Sequence, residues 1–402
     1  MMKTTQKDMT GRYTFLNVFF WMASCPIQGF ASVFLLSRGF DAAQIGLTLA
    51  CGNIVAVVVQ PVLAAYADKT TKMSLKMVTL LVAGVTLLFM LLLQGAASSF
   101  ALVFGISVFL AALMNIIQPL INAIGVYYIN RGVYVNYGAA RGIGSIAFAI
   151  LSFFMGSFVE RFGVVVIIPV GILNYLLFFF VLLTLKIERN EIVEPVKEAG
   201  EKIYGNLFDF FIKYKKFTML LLGIICLFIF HAMINTYLIQ IILQAKGNTG
   251  HVGPALGVAA ACELPPMLFF TRIVRRIPSH HILKIAAFFF GVKSLLFLFA
   301  SNMPMVFLAE AFQMLSFGLF TPASVFYTNQ VMKKYDKVKG LAMIAAAILV
   351  GNIIGNLLGG WILEYWGLFT TLLVGCCITL VGIVLVVLFS VGEAQYQTEA
   401  EE

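Results

Sequence analysis

The sequence predicts an all-α membrane protein of twelve transmembrane helices, built as two halves of six helices each. The first observation is compositional: of 402 residues, 61% are hydrophobic and 11% are charged, with a mean hydropathy of +0.97. Soluble domains carry about 25% charged residues. The second is a series of apolar runs, each long enough at ~1.5 Å per residue to cross a ~30 Å hydrocarbon core. The third is an internal repeat.

The apolar runs lack the period-two alternation of membrane β-barrel strands. Since a membrane span must satisfy its own backbone hydrogen bonds, such continuous runs indicate helices. The predicted spans, numbered 1 to 12 in chain order, are residues 14–36, 43–66, 75–96, 99–128, 139–158, 164–185, 217–243, 252–271, 282–300, 304–330, 340–362 and 367–391.

The net charge of +9 is distributed unevenly along the chain. With a cytosolic N-terminus, 23 of the 27 lysines and arginines lie in inner tails and loops. Arg38, Arg161 and Lys246 fall outside, and Lys293 lies inside a span. This bias follows the positive-inside rule, so it explains the charge without a nucleic-acid partner and predicts that both termini are cytoplasmic.

The N-terminus and the cysteines exclude two other classes of protein. Residues 1–12 are polar and basic and lack the apolar core of a cleaved signal peptide. All six cysteines lie in apolar segments, which argues against a disulfide framework and against a thiolate metal site. We therefore expect a multi-pass protein of a plasma membrane, in this case a bacterial inner membrane.

An internal repeat divides the chain in two. The segment RGIGSIAFAIL from Arg141 matches KGLAMIAAAIL from Lys339, and ERFG from Glu160 matches EYWG from Glu364. Spans 5 and 11 therefore correspond, which indicates a parallel duplication of six helices, as in secondary transporters with two rocking halves. The predicted domains are a bundle at 1–185, a polar cytosolic linker at 186–216 that includes a candidate interfacial helix, and a bundle at 217–402.

Few charged residues lie inside the spans: Glu263 in span 8, Lys293 in span 9, Glu310 in span 10 and Arg141 near the inner end of span 5. A charge at mid-bilayer costs about 2.5 to 3.5 kcal/mol on insertion scales, so such residues normally face a cavity and have a partner or a task. Glu310, six residues into its span, is a candidate proton carrier, and a position at the outer interface is the alternative.

Glu263 stands beside Pro265 and Pro266, near the middle of span 8. Two prolines remove backbone donors, so we expect a break in the helix at a binding site. Two interpretations remain open. Glu263 either contacts a solute or a proton, releasing Lys293 when protonated, or forms a permanent ion pair with Lys293 that joins spans 8 and 9.

Other polar side chains suggest helix contacts or hydroxyl binding. Asn115, Gln118 and Asn122 share one face of span 4, and His231 shares a face of span 7 with Asn235. Amides inside a bilayer either join helices or bind hydroxyl groups. The segment GNIIGNLLGG at 351–360 has the small-residue spacing of a close helix contact.

Hydrolytic and nucleotide-binding motifs are missing from the sequence. It contains no Walker A loop, HExxH, CxxC or GxSxG, and the segment GIGSIA from Gly142 lies within a predicted helix without a preceding strand. We therefore expect neither an enzyme nor a bound cofactor or metal.

Three segments carry a resemblance to a known family. QPVLAAYADK at 60–69 resembles the loop signature of the major facilitator superfamily, with Ala64 where a glycine is usual. This segment, YGAARGIGS at 137–145 and ELPPMLFF at 263–270 are similar to the lactose permease group of oligosaccharide:proton symporters. The resemblance covers nearly the whole chain in helix order, and it implies the major facilitator fold.

The resemblance also implies roles for individual residues. Arg141 matches the sugar-binding arginine of the group, Glu263 its span-8 acid, and Lys293 a position where an arginine is found. Phe148 stands where a tryptophan stacks on the galactose ring. The span-4 acid of the group has no counterpart, since Asn122 and Ala123 stand nearest.

Span 10 also departs from the group. Glu310, Gln313 and Ser316 stand where the group has lysine, histidine and a proton-carrying glutamate. We expect two sets of residues on this basis. The predicted proton-coupling residues are Glu263 and Glu310, and the predicted substrate-binding residues are Arg141, Glu263, Phe148, Asn122, Lys293 and Gln313.

Together these observations predict a functional monomer that moves a small polar solute, a sugar or oligosaccharide, with protons by alternating access. Three alternatives remain. A nucleoside or aromatic-acid permease and a drug exporter would use the same fold. A membrane sensor or enzyme on a transporter scaffold would normally add a soluble domain or a catalytic cluster.

Overall fold

The protein is almost entirely helical in the part of the chain that its computed structural model describes, which is residues 2–69, 73–96, 99–185, 187, 207–333 and 336–392. The all-α prediction is therefore confirmed. Within these ranges the α-helices are α1 (Met2–Ser24), α2 (Ala31–Ser37), α3 (Ala42–Lys69), α4 (Leu75–Gly95), α5 (Phe100–Asn130), α6 (Tyr137–Phe162), α7 (Ile167–Thr184), α8 (Leu207–Lys213), α9 (Lys215–Thr236), α10 (Leu238–Gln244), α11 (Val252–Val274), α12 (Ser279–Leu298), α13 (Met303–Ala311), α14 (Phe317–Val331) and α15 (Lys337–Phe389).

The number of membrane spans depends on how the bent helices are counted. In the described residues, ten helices are long and apolar enough to cross a membrane, and the pair Met9–Gly29 and Ala31–Ser37, bent by 41°, makes eleven. Helix α15 has 53 residues, about 80 Å at ~1.5 Å per residue, which exceeds twice a ~30 Å hydrocarbon core. Gly367 interrupts it with φ 78° and ψ 173°, a conformation that favours glycine. The prediction of twelve spans rests on this division.

The described residues form two compact units. One contains residues 1–196 together with 248–257, and the other contains 197–247 and 258–402. Most of the predicted linker at 186–216 lies outside the described residues. Its last part, residues 207–216, is described and contains α8 and the start of α9. The domain boundaries at 185 and 217 remain predictions.

In the first unit, α1 packs against α6 and α7, while α5 packs against α3 and α4. Helix α1 ends in a π-helical turn, Cys25–Gly29, with Pro26 near its start. Such turns are rare in proteins, and those that occur often lie at functional sites. The turn changes the direction of the chain before α2, so span 1 consists of two helical pieces.

In the second unit, α9 lies along α15, and α12 packs against α14 and α15. Small residues allow the contact between α9 and α15. A Cβ at Gly351 would lie 2.7 Å from Phe228 Cβ, and one at Gly355 would lie 2.3 Å from the Ile229 carbonyl oxygen. The small-residue contact predicted from 351–360 is therefore confirmed.

Two helix breaks differ from the sequence-based expectation. Helix α11 runs without interruption through Pro265 and Pro266, so the predicted break beside Glu263 is wrong. Predicted span 10 is broken instead, because a 3₁₀ turn, Phe312–Met314, separates α13 from α14. A proline removes local hydrogen bonds without always ending a membrane helix, since neighbouring groups compensate for the loss.

Candidate functional site

A buried ion pair lies inside the second unit. The Lys293 ammonium on α12 is 2.9 Å from a carboxylate oxygen of Glu310 on α13, and their side chains are 1% and 0% exposed. Glu310 is therefore buried inside the protein, with an ammonium as its partner. Because removing one partner of a buried pair leaves an uncompensated charge, the two residues depend on each other.

Gln313 connects this pair to Glu263. The Lys293 ammonium donates to Gln313 Oε1 at 2.5 Å, and Gln313 Nε2 donates to Glu263 Oε1 at 2.8 Å. Gln313 occupies the 3₁₀ turn between α13 and α14 and is itself buried. The result is a hydrogen-bonded chain, Glu310–Lys293–Gln313–Glu263. It links predicted span 10 to α12 and to α11.

One interpretation of the sequence was an ion pair between Lys293 and Glu263. That pairing is wrong, because Lys293 pairs with Glu310. The predicted site residues Glu263, Lys293, Gln313 and Glu310 all lie in one cluster. Tight packing holds Glu263 in place. A Cβ at Gly318, near the start of α14, would lie 3.3 Å from the Glu263 Cα, so the two helices approach closely there.

His231 is a hydrogen-bonded core residue of the same unit. Asn235 Nδ2 lies 3.0 Å from His231 Nε2 and donates to the His231 carbonyl oxygen at 2.9 Å. The imidazole stacks on Phe317, with centroids 5.1 Å apart and an angle of 8° between the planes. The prediction that these residues, one helical turn apart, share one face of the helix is confirmed.

In the first unit, Arg141 lies against an aromatic surface. Its guanidinium carbon is 4.0 Å from the ring centroid of Trp21 on α1. The Trp21 ring meets Phe148 edge-on at 6.2 Å. Arg141 and Phe148 are half-buried residues of α6. The contact is a cation–π interaction, which gives the Arg141 side chain a defined partner within the unit.

Gly144 makes room for this arrangement. A Cβ at Gly144 would lie 2.7 Å from Trp21 Cδ1 and 3.3 Å from the Asn17 carbonyl oxygen. Only a residue without a side chain allows α1 to approach α6 closely enough to bring Trp21 onto Arg141. Gly144 is one helical turn from both Arg141 and Phe148, so the three residues share one face of α6.

Trp21 is a candidate site residue that the sequence-based prediction did not include. The sequence holds three tryptophans, and Trp21 is the one that lies near the middle of its span. That position was the available signal, because tryptophan in membrane proteins is concentrated at the interfaces. Asn122, another predicted contact, is half-buried on α5 and makes no hydrogen bond with any described residue.

The two clusters offer different chemistry. The chain around Lys293 contains two carboxylates that can take up a proton, and one of them neutralises a buried ammonium. The surface of Trp21 and Phe148 offers aromatic area beside a guanidinium, which suits a ring-shaped polar molecule.

Comparison with known proteins gives a family and several relatives. Residues 12–374 match the family described as MFS_1 like. The maltose permease of Geobacillus stearothermophilus is 26% identical over 99% of this chain and 97% of its own. The uncharacterized transporter YwbF of Bacillus subtilis (strain 168) is 22% identical over 85% of this chain and 83% of its own.

Solved structures share the fold. A mutant of the nucleoside transporter NupG superposes with a TM-score of 0.79 at 16% identity, over 96% of this chain and 98% of that one. A bacterial homolog of the human lysosomal transporter Spinster, inward-facing and unoccupied, superposes with a TM-score of 0.69 at 14% identity, over 98% of each chain. The chain belongs to the MFS_1 like family, and it is a multi-pass membrane transporter of the major facilitator superfamily.

Proposed function

We propose that this transporter moves a sugar or oligosaccharide together with protons, by symport with alternating access. The observation that carries the proposal is the hydrogen-bonded chain Glu310–Lys293–Gln313–Glu263, in which the first three residues are buried and Glu263 is half-buried. Charged side chains are costly inside a bilayer, so those found there normally have a functional role. Proton uptake by a carboxylate is a task that these residues can perform.

Glu310 is suited to take the proton. One of its carboxylate oxygens accepts from Lys293, and the other, Oε1, has no hydrogen-bond partner among the described residues. A proton on Oε1 would neutralise the carboxylate and weaken its hold on Lys293. The ammonium would then depend on Gln313, and through that amide the change would reach Glu263.

Glu263 is the proposed solute contact through which proton binding and solute binding are coupled. It stands at the end of the chain, with Gln313 on one oxygen. A solute hydroxyl donating to Glu263 would favour its ionised carboxylate. A proton on Glu310 would favour the same state, because it leaves Glu263 as the carboxylate that balances Lys293, so proton and solute would bind cooperatively. A ligand shifts a conformational equilibrium only through different affinities for the two states, and this coupling supplies such a difference.

A sugar is the preferred solute because of the Arg141 surface and because a maltose permease is a relative along the whole chain. Trp21 and Phe148 offer the flat apolar area on which the C–H face of a sugar ring packs, while the guanidinium donates to hydroxyls. The proposal includes Asn122 as an auxiliary polar contact of the first unit, and Lys293 and Gln313 as solute contacts of the second unit.

A nucleoside is the second candidate. The same tryptophan and phenylalanine would stack on a base, and the fold is shared with the nucleoside transporter NupG. In either case we propose a monomer in a bacterial inner membrane with both termini in the cytoplasm, on the strength of the positive-inside charge distribution.

The test is the pH outside lightly buffered, de-energised cells that express the protein. Maltose, lactose, uridine, adenosine and an aromatic acid are added in turn. We expect a sugar to raise the external pH, and we expect this response to be lost in Glu263→Gln and in Glu310→Gln. Asp209→Asn, which changes an exposed carboxylate on α8 outside the membrane spans, is the matched control.

The other outcomes separate the alternatives. A response to uridine or adenosine alone would replace the sugar with a nucleoside and keep the proton coupling. No response to any compound, with the protein present in the membrane, would contradict proton symport. A sugar response that survives in both glutamate variants would show that neither carboxylate couples the proton.

A further inference from the structure

Four amide side chains form a second polar cluster in the first unit. Gln28 Nε2 donates to Asn115 Oδ1 at 3.1 Å, and Asn115 Nδ2 donates to Asn53 Oδ1 at 2.9 Å. Gln60 Nε2 donates to the backbone carbonyl of Asn115 at 3.1 Å. The cluster joins the π-helical turn of span 1 to α3 and α5, and it contains no charged group.

The bond from Gln60 has a structural explanation. Pro119 lies inside α5, four residues after Asn115, and it has no N–H to donate to the Asn115 carbonyl. That carbonyl would lack a partner in the apolar interior, and the Gln60 amide supplies one. Gln60 therefore stabilises the helix contact between α3 and α5.

The side chains of Gln28 and Asn53 have capacity that the helix contacts do not use. Gln28 Oε1 and Asn53 Nδ2 make no hydrogen bond with any described residue, so one acceptor and one donor stay open on the two sides of Asn115. A hydroxyl group is both a donor and an acceptor, and it can satisfy such a pair. A carboxylate or a cation would satisfy one member only.

The position of Gln28 indicates a water-filled surface rather than lipid. It is an exposed residue near the middle of span 1, where an amide facing hydrocarbon would be costly. The π-helical turn that begins at Cys25 places it there. Its neighbour Gly29 lies close to the aromatic surface, since a Cβ at Gly29 would be 3.6 Å from Phe148 Cζ.

We propose that Gln28, Asn53 and Asn115 form a hydroxyl-recognising subsite, next to the surface of Arg141, Trp21 and Phe148. This inference rests on the proposed function, and it specifies the class of solute. The ring of the solute would stack on the aromatic surface while its hydroxyl groups bond to the amides. A neutral subsite of this kind selects polyhydroxylated molecules and gives no advantage to cationic drugs or aromatic acids.

The binding test uses Trp21 as an internal reporter. In the background Trp361→Phe/Trp366→Phe, Trp21 is the single tryptophan, and its fluorescence is titrated with maltose, uridine and 2′,3′-dideoxyuridine in detergent. Gln28→Leu and Asn53→Leu should each raise the Kd of whichever compound the parent binds by about tenfold, which corresponds to the loss of one hydrogen bond. Gln60→Leu is the control and should leave the affinity unchanged within about twofold.

Dideoxyuridine distinguishes the group that is recognised. If uridine binds, its dideoxy analogue should bind about as weakly to the parent as uridine binds to Gln28→Leu. Equal binding of the two nucleosides to the parent would contradict hydroxyl recognition. If maltose alone binds, unchanged maltose affinity in both Gln28→Leu and Asn53→Leu would contradict it.

A solute-free measurement keeps the inference testable if none of these compounds binds and the proposed function fails. Thermal unfolding by circular dichroism should give a lower Tm for Gln60→Leu, because a buried carbonyl loses its partner. Gln28→Leu should change Tm little, since its exposed amide is held for a solute. An equal loss of Tm in both variants would overturn the subsite, because the network would then serve only to join the helices.

Discussion

Lys293 and Glu310 form an ion pair with 2.9 Å between the ammonium nitrogen and a carboxylate oxygen, and neither side chain is more than 1% exposed. The pair also contacts Gln313, whose amide leads to Glu263. Buried pairs of this kind add little net stability compared with apolar residues of similar size, because both ions lose their hydration. Their retention in this unit is better explained by a function that uses the charges.

We expect Glu310→Gln to destabilise the protein, because it leaves the Lys293 ammonium buried without a counter-charge. Breaking one partner of such a pair costs about 3 to 5 kcal/mol. The double variant Glu310→Gln/Lys293→Met removes both charges and should recover most of the lost stability, measured as Tm in detergent. It should still fail to accumulate solute against a gradient. A double variant that is no more stable than Glu310→Gln would contradict the pairing.

Gln313→Met should remove the hydrogen-bonded connection between the Glu310–Lys293 pair and Glu263, while keeping a side chain of similar volume. Lys293 and Glu263 each lose one hydrogen bond. We expect counterflow exchange of a preloaded solute to persist, while uphill accumulation falls by about tenfold or more, since one coupling hydrogen bond to a charged group contributes about 1.5 to 3 kcal/mol. Gln94→Met, which changes an exposed amide at the end of α4, is the control and should keep normal accumulation. Normal accumulation in Gln313→Met would show that the amide does not transmit the proton state.

Two neighbouring glycines of α6 allow a sharp test of the aromatic surface. Gly144→Ala places a Cβ about where Trp21 Cδ1 and the Asn17 carbonyl now lie, so we expect Trp21 to move away from Arg141 and solute affinity to fall by about tenfold. Gly142→Ala meets nothing within 4 Å. It should keep affinity and slightly raise Tm, because alanine favours a helix over glycine by about 1 kcal/mol. Equal affinities in the two variants would contradict a role for Trp21.

Helix positions and the charged residues of the site could be predicted from the sequence because the bilayer imposes both. A span must be apolar for about 20 residues, so its limits are visible, and a Glu263 or Lys293 inside it stands out. The pairing was less predictable. Lys293 lies within reach of acids on two neighbouring helical segments, and only three-dimensional packing selects Glu310.

The helix breaks could not be predicted from local signals. Pro265 and Pro266 are strong signals of a break, yet α11 continues through them. The break that positions Gln313 contains neither proline nor glycine between Phe312 and Ser316. Gln28 and Trp21 were missed for a similar reason. Their importance comes from contacts with other helices, which the periodicity of a single span does not report.

A pH-dependent stability difference should arise at the end of α8, where Tyr214 and Lys213 meet Asp336. The Tyr214 hydroxyl donates to Asp336 Oδ2 at 2.8 Å, and the Lys213 ammonium lies 2.7 Å from the same oxygen. Burial, together with the hydrogen bond to Asp336, raises the pKa of Tyr214 from 10.0 to about 12. The folded protein therefore holds this proton more tightly than the unfolded chain does.

The sign of the effect follows from that difference. The stabilisation by neutral Tyr214 is complete below a pH of about 10 and is lost as the pH rises through about 12. We therefore expect Tyr214→Phe to have a lower Tm than the parent at pH 8, and the two Tm values to converge as the pH approaches 12. Thermal unfolding in detergent at intervals of half a pH unit gives the difference. Curves that stay parallel from pH 8 to 12 would mean that the Tyr214 proton is not linked to folding, and the contact with Asp336 would then stabilise α8 equally at all these pH values.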